Sequence, residues 1–348
     1  MSRPSLRDVV PYTSDYLSCE TECVAAVLKY LGLEPLCLLY GKDWAFFHYC
    51  IPEAEGADLL LSSWRRPEED FWAEHGVKLR VRATRNPERA WRGVKALLDR
   101  QLPAVVLVDP FYLPHSSGYA IRHSLHFLIV NGYDPASREV YVADGLFQYR
   151  GPLPFSVLAE ARAGGGDGYR PDNKWIEIDP PSGPAPGLAS LVARALDRNL
   201  RAMVGPRPPA LSRLMRASLE RWGAVRLGVG LSGIRGFARR LVEAPPPAGR
   251  LDALYNQTMA VGEKRAWHSQ FLVYAGETLR LPGLVEAGRV LEPLAQSWSV
   301  VRALFFKAAR GDPAAEILRR VQKRLYDIAD LEERALEIVA RAQRGLAG

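Results

Sequence analysis

No run of this sequence approaches the roughly 20 consecutive apolar residues that a membrane-spanning helix needs. The opening Met1-Ser-Arg-Pro-Ser-Leu-Arg-Asp also lacks the long apolar core of a signal peptide, so a cytosolic protein is expected. Cysteine is scarce: Cys19, Cys23, Cys37 and Cys50 are the four in 348 residues, and none lies beyond position 50. So few in so long a chain make no disulfide framework, and a reducing compartment fits. Cys19 and Cys23 stand four apart on a predicted helix, but no second Cys/His pair follows at finger-like spacing, so no metal is expected. Ala163-Gly-Gly-Gly-Asp-Gly168 is glycine-rich, yet no Gly-Lys-Ser/Thr or dinucleotide pattern surrounds it. It reads as a flexible loop, and no cofactor is expected. No aromatic–basic recognition motif marks a nucleic-acid partner, and no repeat of fixed period is visible.

What is present is the composition of a soluble globular protein, 48% hydrophobic and 24% charged. The net charge of +7 comes mostly from arginines scattered along helices, which read as solvated faces. Steering of an acidic partner, such as a carrier protein, stays open. Composition changes at Pro180-Pro-Ser-Gly-Pro-Ala-Pro-Gly187, a candidate linker between a domain at 1–180 and a helical domain at 188–348.

In the first domain, Ser18–Gly32 reads as a helix. Ser18 is the expected N-cap, Glu20 and Glu22 are acids at the dipole's positive end, and Gly32 is the stop. Val24, Val27, Leu28 and Leu31 recur at helical spacing, so one face is buried. Residues 35–63 are dense in aromatics without a clean period; a packed loop and the wall of a substrate pocket fit equally. A helix is expected around Pro67–His75, a strand at Val77–Ala83 and an amphipathic helix over Pro87–Gln101. Ala104–Asp109 is a short apolar run consistent with a buried strand. Ser124–Asn131 is another; it turns at Gly132–Pro135 and pairs as a hairpin with the alternating Glu139–Asp144. Asn173–Ile178 adds one more. Beyond the linker, helices are expected over 188–203, 209–225, 251–278, 284–309 and 313–345. Trp267, Phe271, Tyr274, Trp298, Leu304 and Phe305 are spaced as core residues.

Cys19 falls in the first turn of its helix, among backbone N–H groups that favour a thiolate and are able to hold a developing oxyanion. A free cysteine is also commonly a small buried apolar residue. His126 opens an apolar strand, where an imidazole needs a partner, and Asp144 ends the adjacent strand. Cys, His and Asp on helix, strand and strand are what a thiol nucleophile requires: a base to take its proton and a carboxylate to orient the base. His123 lies three residues before His126 and would face the other way on an extended strand. His115 sits in a loop beside Pro114 and Ser116, and His48, His75 and His268 lack a patterned setting. Cys23, one turn further along, is the rival nucleophile.

Ser18-Cys-Glu-Thr-Glu-Cys-Val-Ala-Ala-Val-Leu-Lys-Tyr-Leu-Gly32 resembles the opening motif of the butirosin biosynthesis protein H N-terminal family, a relative of the C39 papain-like cysteine peptidases. Pro103–Pro114, His123–Asp134 and Val140–Asp144 match the same pattern, and the resemblance covers about residues 10–180. The helical remainder is diffusely similar to the region that usually follows in that family. The resemblance implies an α+β fold, a papain-like (C39-like) cysteine-enzyme domain followed by an all-α helical domain. It implies Cys19 as nucleophile, His126 as base and Asp144 as orienting acid. It further implies acyl transfer from an acyl or peptidyl carrier protein, through a phosphopantetheine thioester, to a small-molecule amine acceptor in natural-product assembly. Asp109, Tyr112 and Ser18 are candidate substrate contacts, with strand-end capping and packing as the alternative for the first two. Two departures stand out. Papain-like peptidases place an oxyanion-hole glutamine shortly before the cysteine, and Tyr12–Ser18 has none, which leaves backbone N–H groups or Thr13, Ser14 or Ser18. Asp144 is followed by Gly145 where the pattern usually has proline. A hydrolase with the same triad (a peptidase or thioesterase) and a non-catalytic binding protein on this fold are the alternatives.

Overall fold

Ala104–Val108 is apolar and buried at every position, which requires a strand covered on both faces and therefore interior to a sheet. The computed structural model, which describes residues 5–54, 57–65, 69, 75–166, 168–181, 183, 186–205, 210–311 and 314–346, places it there. In chain order the strands are β1 Phe47–Ile51, β2 Ala57–Leu61, β3 Lys78–Arg82, β4 Ala104–Val108, β5 His126–Asp134, β6 Glu139–Asp144, β7 Tyr149–Pro154, β8 Trp175–Asp179 and β9 Val225–Val229. The helices are α1 Cys19–Tyr30, α2 Cys37–Tyr40, α3 Pro87–Asp99, α4 Phe155–Ala163, α5 Leu188–Met203, α6 Arg213–Arg221, α7 Gly230–Glu243, α8 Ala248–Thr278, α9 Pro282–Leu291, α10 Leu294–Ala308 and α11 Ala314–Leu346. The fold is mixed α+β, sheet-rich in its N-terminal region and helical in its C-terminal region.

The chain forms two units, residues 1–36 with 71–184 and residues 37–70 with 185–348. This differs from the continuous 1–180 and 188–348 read from composition: residues 37–70 group with the helical region. The reason is long-range pairing, since β1 carries β2 on one side and β9 on the other.

In the first unit, six described strands form an antiparallel sheet of order β3-β8-β4-β5-β6-β7. The expected hairpin is present, with Ile129 opposite Ala143. Helix α1 packs on β5 and β4. Its start is capped by Ser18, whose Oγ accepts the Thr21 N–H at 3.2 Å. Its end closes on Gly32 at φ +80°, with Gly32 N–H bonding Lys29 O and Leu33 N–H bonding Leu28 O. That paired closure needs a left-handed residue, which glycine supplies without a Cβ penalty. Val24, Val27 and Leu28 are buried as expected.

In the second unit, Arg265 of α8 and Glu332 of α11 form a fully buried ion pair, Nε to Oε1 at 2.8 Å and Nη2 to Oε2 at 3.1 Å. Arg265 Nη1 also donates to Ala45 O, and Trp44 Nε1 to Glu332 Oε2. Satisfying every partner is what makes a buried pair tolerable. Trp267, Phe271, Trp298, Leu304 and Phe305 are buried here.

Several elements escaped the periodicity reading. The aromatic stretch 35–63 contains β1 and β2; Phe47, His48 and Tyr49 are all buried, so no alternation marks β1. Strand β7 contains Gly151, Pro152 and Pro154, which disguise it, and it lies at the sheet edge, where proline is tolerated. Helices α4 and α7 add to the expected set, and the helix expected over 209–225 is shorter as α6, with β9 following. The helix expected over 284–309 is two, α9 and α10, divided at Glu292-Pro293. The expected helix around Pro67–His75 lies outside the described residues, apart from Glu69 and His75, as do the Pro206–Pro209 break and part of the linker.

Candidate active site

Cys19 is the first residue of α1, and its side chain is half-buried. The strand beneath supplies its first partner: Phe127 N–H donates to Cys19 Sγ at 3.5 Å. The carbonyl of the same residue accepts from Cys23 Sγ at 3.6 Å, so the backbone of one β5 residue touches both thiols. The two cysteines are otherwise unlike. Cys23 is 1% exposed, and burial, followed by the nearby charges of Cys19 and Asp144, pushes its thiol well above the ordinary range. Burial likewise pushes Cys37 up to about 11.

His126 opens β5, and its Nε2 donates to Asp144 Oδ1 at 2.9 Å. That leaves Nδ1 for Cys19, with which the ring also hydrogen-bonds. Burial pulls the ring toward its neutral form, but the bonds to Asp144 and Cys19 outweigh it and hold its pKa up at about 9. Asp144 is buried at the end of β6, and burial alone would raise its carboxyl. Its donors win, and the group lies far below the usual carboxylate range. Those donors are His115 Nε2 on Oδ2 at 3.2 Å, His126 Nε2, and Phe147 N–H on Oδ1 at 3.2 Å. At neutral pH the site therefore holds an aspartate and a protonated imidazole, with Cys19 next in the series.

The structure thus brings Cys19, His126 and Asp144 together. Sequence reasoning set His115 aside, yet it holds the far oxygen of Asp144. Its ring stacks on Tyr149, centroids 4.1 Å apart at 8°, and Tyr149 lies opposite Asp144 in the β6–β7 register. Phe147 sets its ring edge-on to His126 at 5.3 Å. No periodicity marks a loop histidine; the sequence holds no signal for this contact.

The other expected site residues lie among protein contacts of their own. Asp109 is fully buried, and its carboxylate accepts Phe111 N–H, Ser124 N–H and His123 Nδ1, the last at 2.7 Å. That is the capping role the sequence also allowed. Tyr112 is half-buried, its ring near that of His123 at 6.0 Å. His123, stacked on Phe111, forms with Asp109 a second histidine–aspartate pair. Ser18 Oγ accepts the Thr21 N–H and donates to Thr21 Oγ1, and the Ser14 N–H is taken by Glu22 Oε1 at 3.0 Å.

Residues 18–145, which hold the whole Cys–His–Asp arrangement, match the family described as butirosin biosynthesis protein H, N-terminal. That stretch of the chain carries the family's N-terminal domain. A further match, a domain of unknown function (DUF4872), spans residues 156–339, and the chain belongs to that family. No curated protein matches the chain. The match to butirosin biosynthesis protein H connects this region to natural-product biosynthesis and to biosynthetic enzymes. No described helix is long and apolar enough to cross a membrane. The family pattern's proline after the aspartate is Gly145 here, and the packing gives a reason: a Cβ at Gly145 would lie 3.0 Å from Pro11 Cβ and 3.2 Å from Glu22 Oε2.

Proposed function

We propose that this protein is a cysteine-dependent acyltransferase. On this reading it moves an acyl or aminoacyl group from the phosphopantetheine thioester of a carrier protein to an amine acceptor in natural-product biosynthesis. One arrangement carries the reading: a half-buried cysteine at a helix start, bonded to an imidazole that a buried carboxylate keeps protonated. The thiolate is the reactive form of cysteine, and an imidazolium is its counter-ion.

In the first half-reaction the Cys19 thiolate adds to the thioester carbonyl, the carbon–sulfur bond to pantetheine breaks, and His126 gives its proton to the departing thiolate. In the second, neutral His126 takes a proton from the amine as its nitrogen attacks the Cys19 thioester. The carbon–sulfur bond to Cys19 then breaks and the thiolate returns beside the imidazolium. Asp144 fixes the ring and stabilises its charge; it does not itself take the proton. The first-turn N–H of Cys19, which has no acceptor within the helix, is the proposed donor to the oxyanion.

The test is intact-protein mass spectrometry with a panel of acyl thioesters of N-acetylcysteamine and of carrier protein. The expected result is an acyl adduct on the wild-type protein, none on Cys19→Ala, and its discharge as an amide when an amine is added. Absence of any adduct across the panel removes Cys19 as nucleophile. Release of free acid alone, at every amine concentration, makes the protein a hydrolase with the same residues.

A further inference from the structure

A buried arginine without an acid beside it is a costly arrangement. Arg162, at the end of α4, is 3% exposed, and its guanidinium, with five N–H donors, stays charged. Among the described residues it makes one side-chain hydrogen bond, Nη2 to Asn173 O at 3.2 Å, and its buried Nε has no partner. Burial works against its charge strongly enough to bring its pKa down to about 10. Desolvating a cation with no anion beside it costs several kcal/mol, and a protein that has no use for the group would carry methionine or leucine there.

Arg162 lines a cavity of about 640 Å³ between α3 and α4, a size typical of small-molecule sites. Its walls are mostly apolar: Trp91 from α3, and Phe155 and Leu158 from α4. The Trp91 and Phe155 rings meet edge to face at 4.8 Å, which holds them as a rigid pair. Glu88 and Arg92, both exposed, bring one charge of each sign to the lining. None of these residues belongs to the Cys19 site.

We propose that this cavity binds an organic carboxylate with an aromatic or branched apolar body. Arg162 takes the carboxylate through the guanidinium donors other than its buried Nε, and Trp91, Phe155 and Leu158 enclose the body. Arginine suits a planar two-oxygen anion because its donors form a fork. The apolar walls disfavour a bare inorganic anion, whose remaining oxygens would stay wet or unpaired.

Titration calorimetry of the full chain with 4-phenylbutyrate, its neutral amide 4-phenylbutyramide, and inorganic phosphate tests this. The expected result is saturable binding of the acid, with amide and phosphate each about ten-fold or more weaker. Arg162→Met should lose the acid by a similar factor. Ala159→Trp, which keeps the arginine and fills the cavity from a half-buried lining position, should also abolish binding. Equal affinity for acid and amide, equal affinity for phosphate, no saturable binding of the acid at millimolar concentration, or unchanged binding by Ala159→Trp overturns the proposal. If Arg162→Met fails to fold, the acid–amide comparison on the wild-type protein decides alone.

Discussion

Asp144→Asn is the substitution that asks most of the active-site reading, because it removes a charge and keeps the shape. The His126 side chain is 3% exposed, and burial alone would carry its pKa below 6.5. Asp144 and Cys19 instead hold it at about 9. At about 1.4 kcal/mol per pH unit, that interval is about 3 kcal/mol of preference for the charged ring. At pH 7 only about one ring in a hundred is then neutral. An asparagine at position 144 still offers an oxygen to Nε2 but no charge, so burial prevails and the ring titrates below 6.5. The stability linkage has a definite sign. A histidine whose pKa is raised on folding stabilises fully below about 6.5, and that contribution is lost as pH rises through about 9. Wild-type stability should fall by about 3 kcal/mol across that window, and Asp144→Asn should lack this fall. The assay is NMR of the isotope-labelled imidazoles from pH 5 to 10, with His126 assigned by its loss in His126→Phe, beside the rate of Cys19 alkylation by iodoacetamide. Turnover in the acyl-transfer assay should drop by about 10²–10⁴-fold. A variant ring that still titrates near 9 would refute the assignment of Asp144 as holder of the charge. A wild-type ring that titrates at or below 6.5 would show that burial wins and that no imidazolium sits beside the thiol.

Other consequences follow from the same contacts. His115→Phe keeps a ring against Tyr149 but removes one donor from Asp144. The folded-state pKa of Asp144 then rises toward its unfolded value near 3.9, and acid unfolding, followed by circular dichroism, should begin at higher pH. Iodoacetamide with peptide mapping should label Cys19 first at pH 6, with half-buried Cys50 behind it. Cys23 and Cys37 should be protected by burial and raised pKa; faster labelling of Cys23 would make it the nucleophile. Arg265→Ala strands Glu332 in the core of the helical unit and should cost about 3–5 kcal/mol, seen as a fall of about 10 °C in Tm. An unchanged Tm would mean that the pair is solvated in solution.

The sequence by itself determined a good deal. The cap at Ser18, the stop at Gly32 and the apolar spacing between them specify α1, because capping and burial are local and periodic. The apolar run Ala104–Val108 and the alternating Glu139–Asp144 specify the β4–β5–β6 core for the same reason, and that core sets His126 and Asp144 on neighbouring strands. The turn expected at Gly132–Pro135 falls instead at 135–138, because β5 stays paired through Asp134. Tertiary structure alone decided four things. It brought β9 across about 180 residues to pair with β1, which no local pattern encodes, and so moved residues 37–70 into the second unit. It carried His115 from an unpatterned loop onto Asp144, and it committed Asp109 to His123. It also left Arg162 buried without an acid, which is invisible in a sequence where arginines line many helices. Helices and hairpins are written in neighbours along the chain. Which charges meet, and which stay unpaired, depends on how those elements pack.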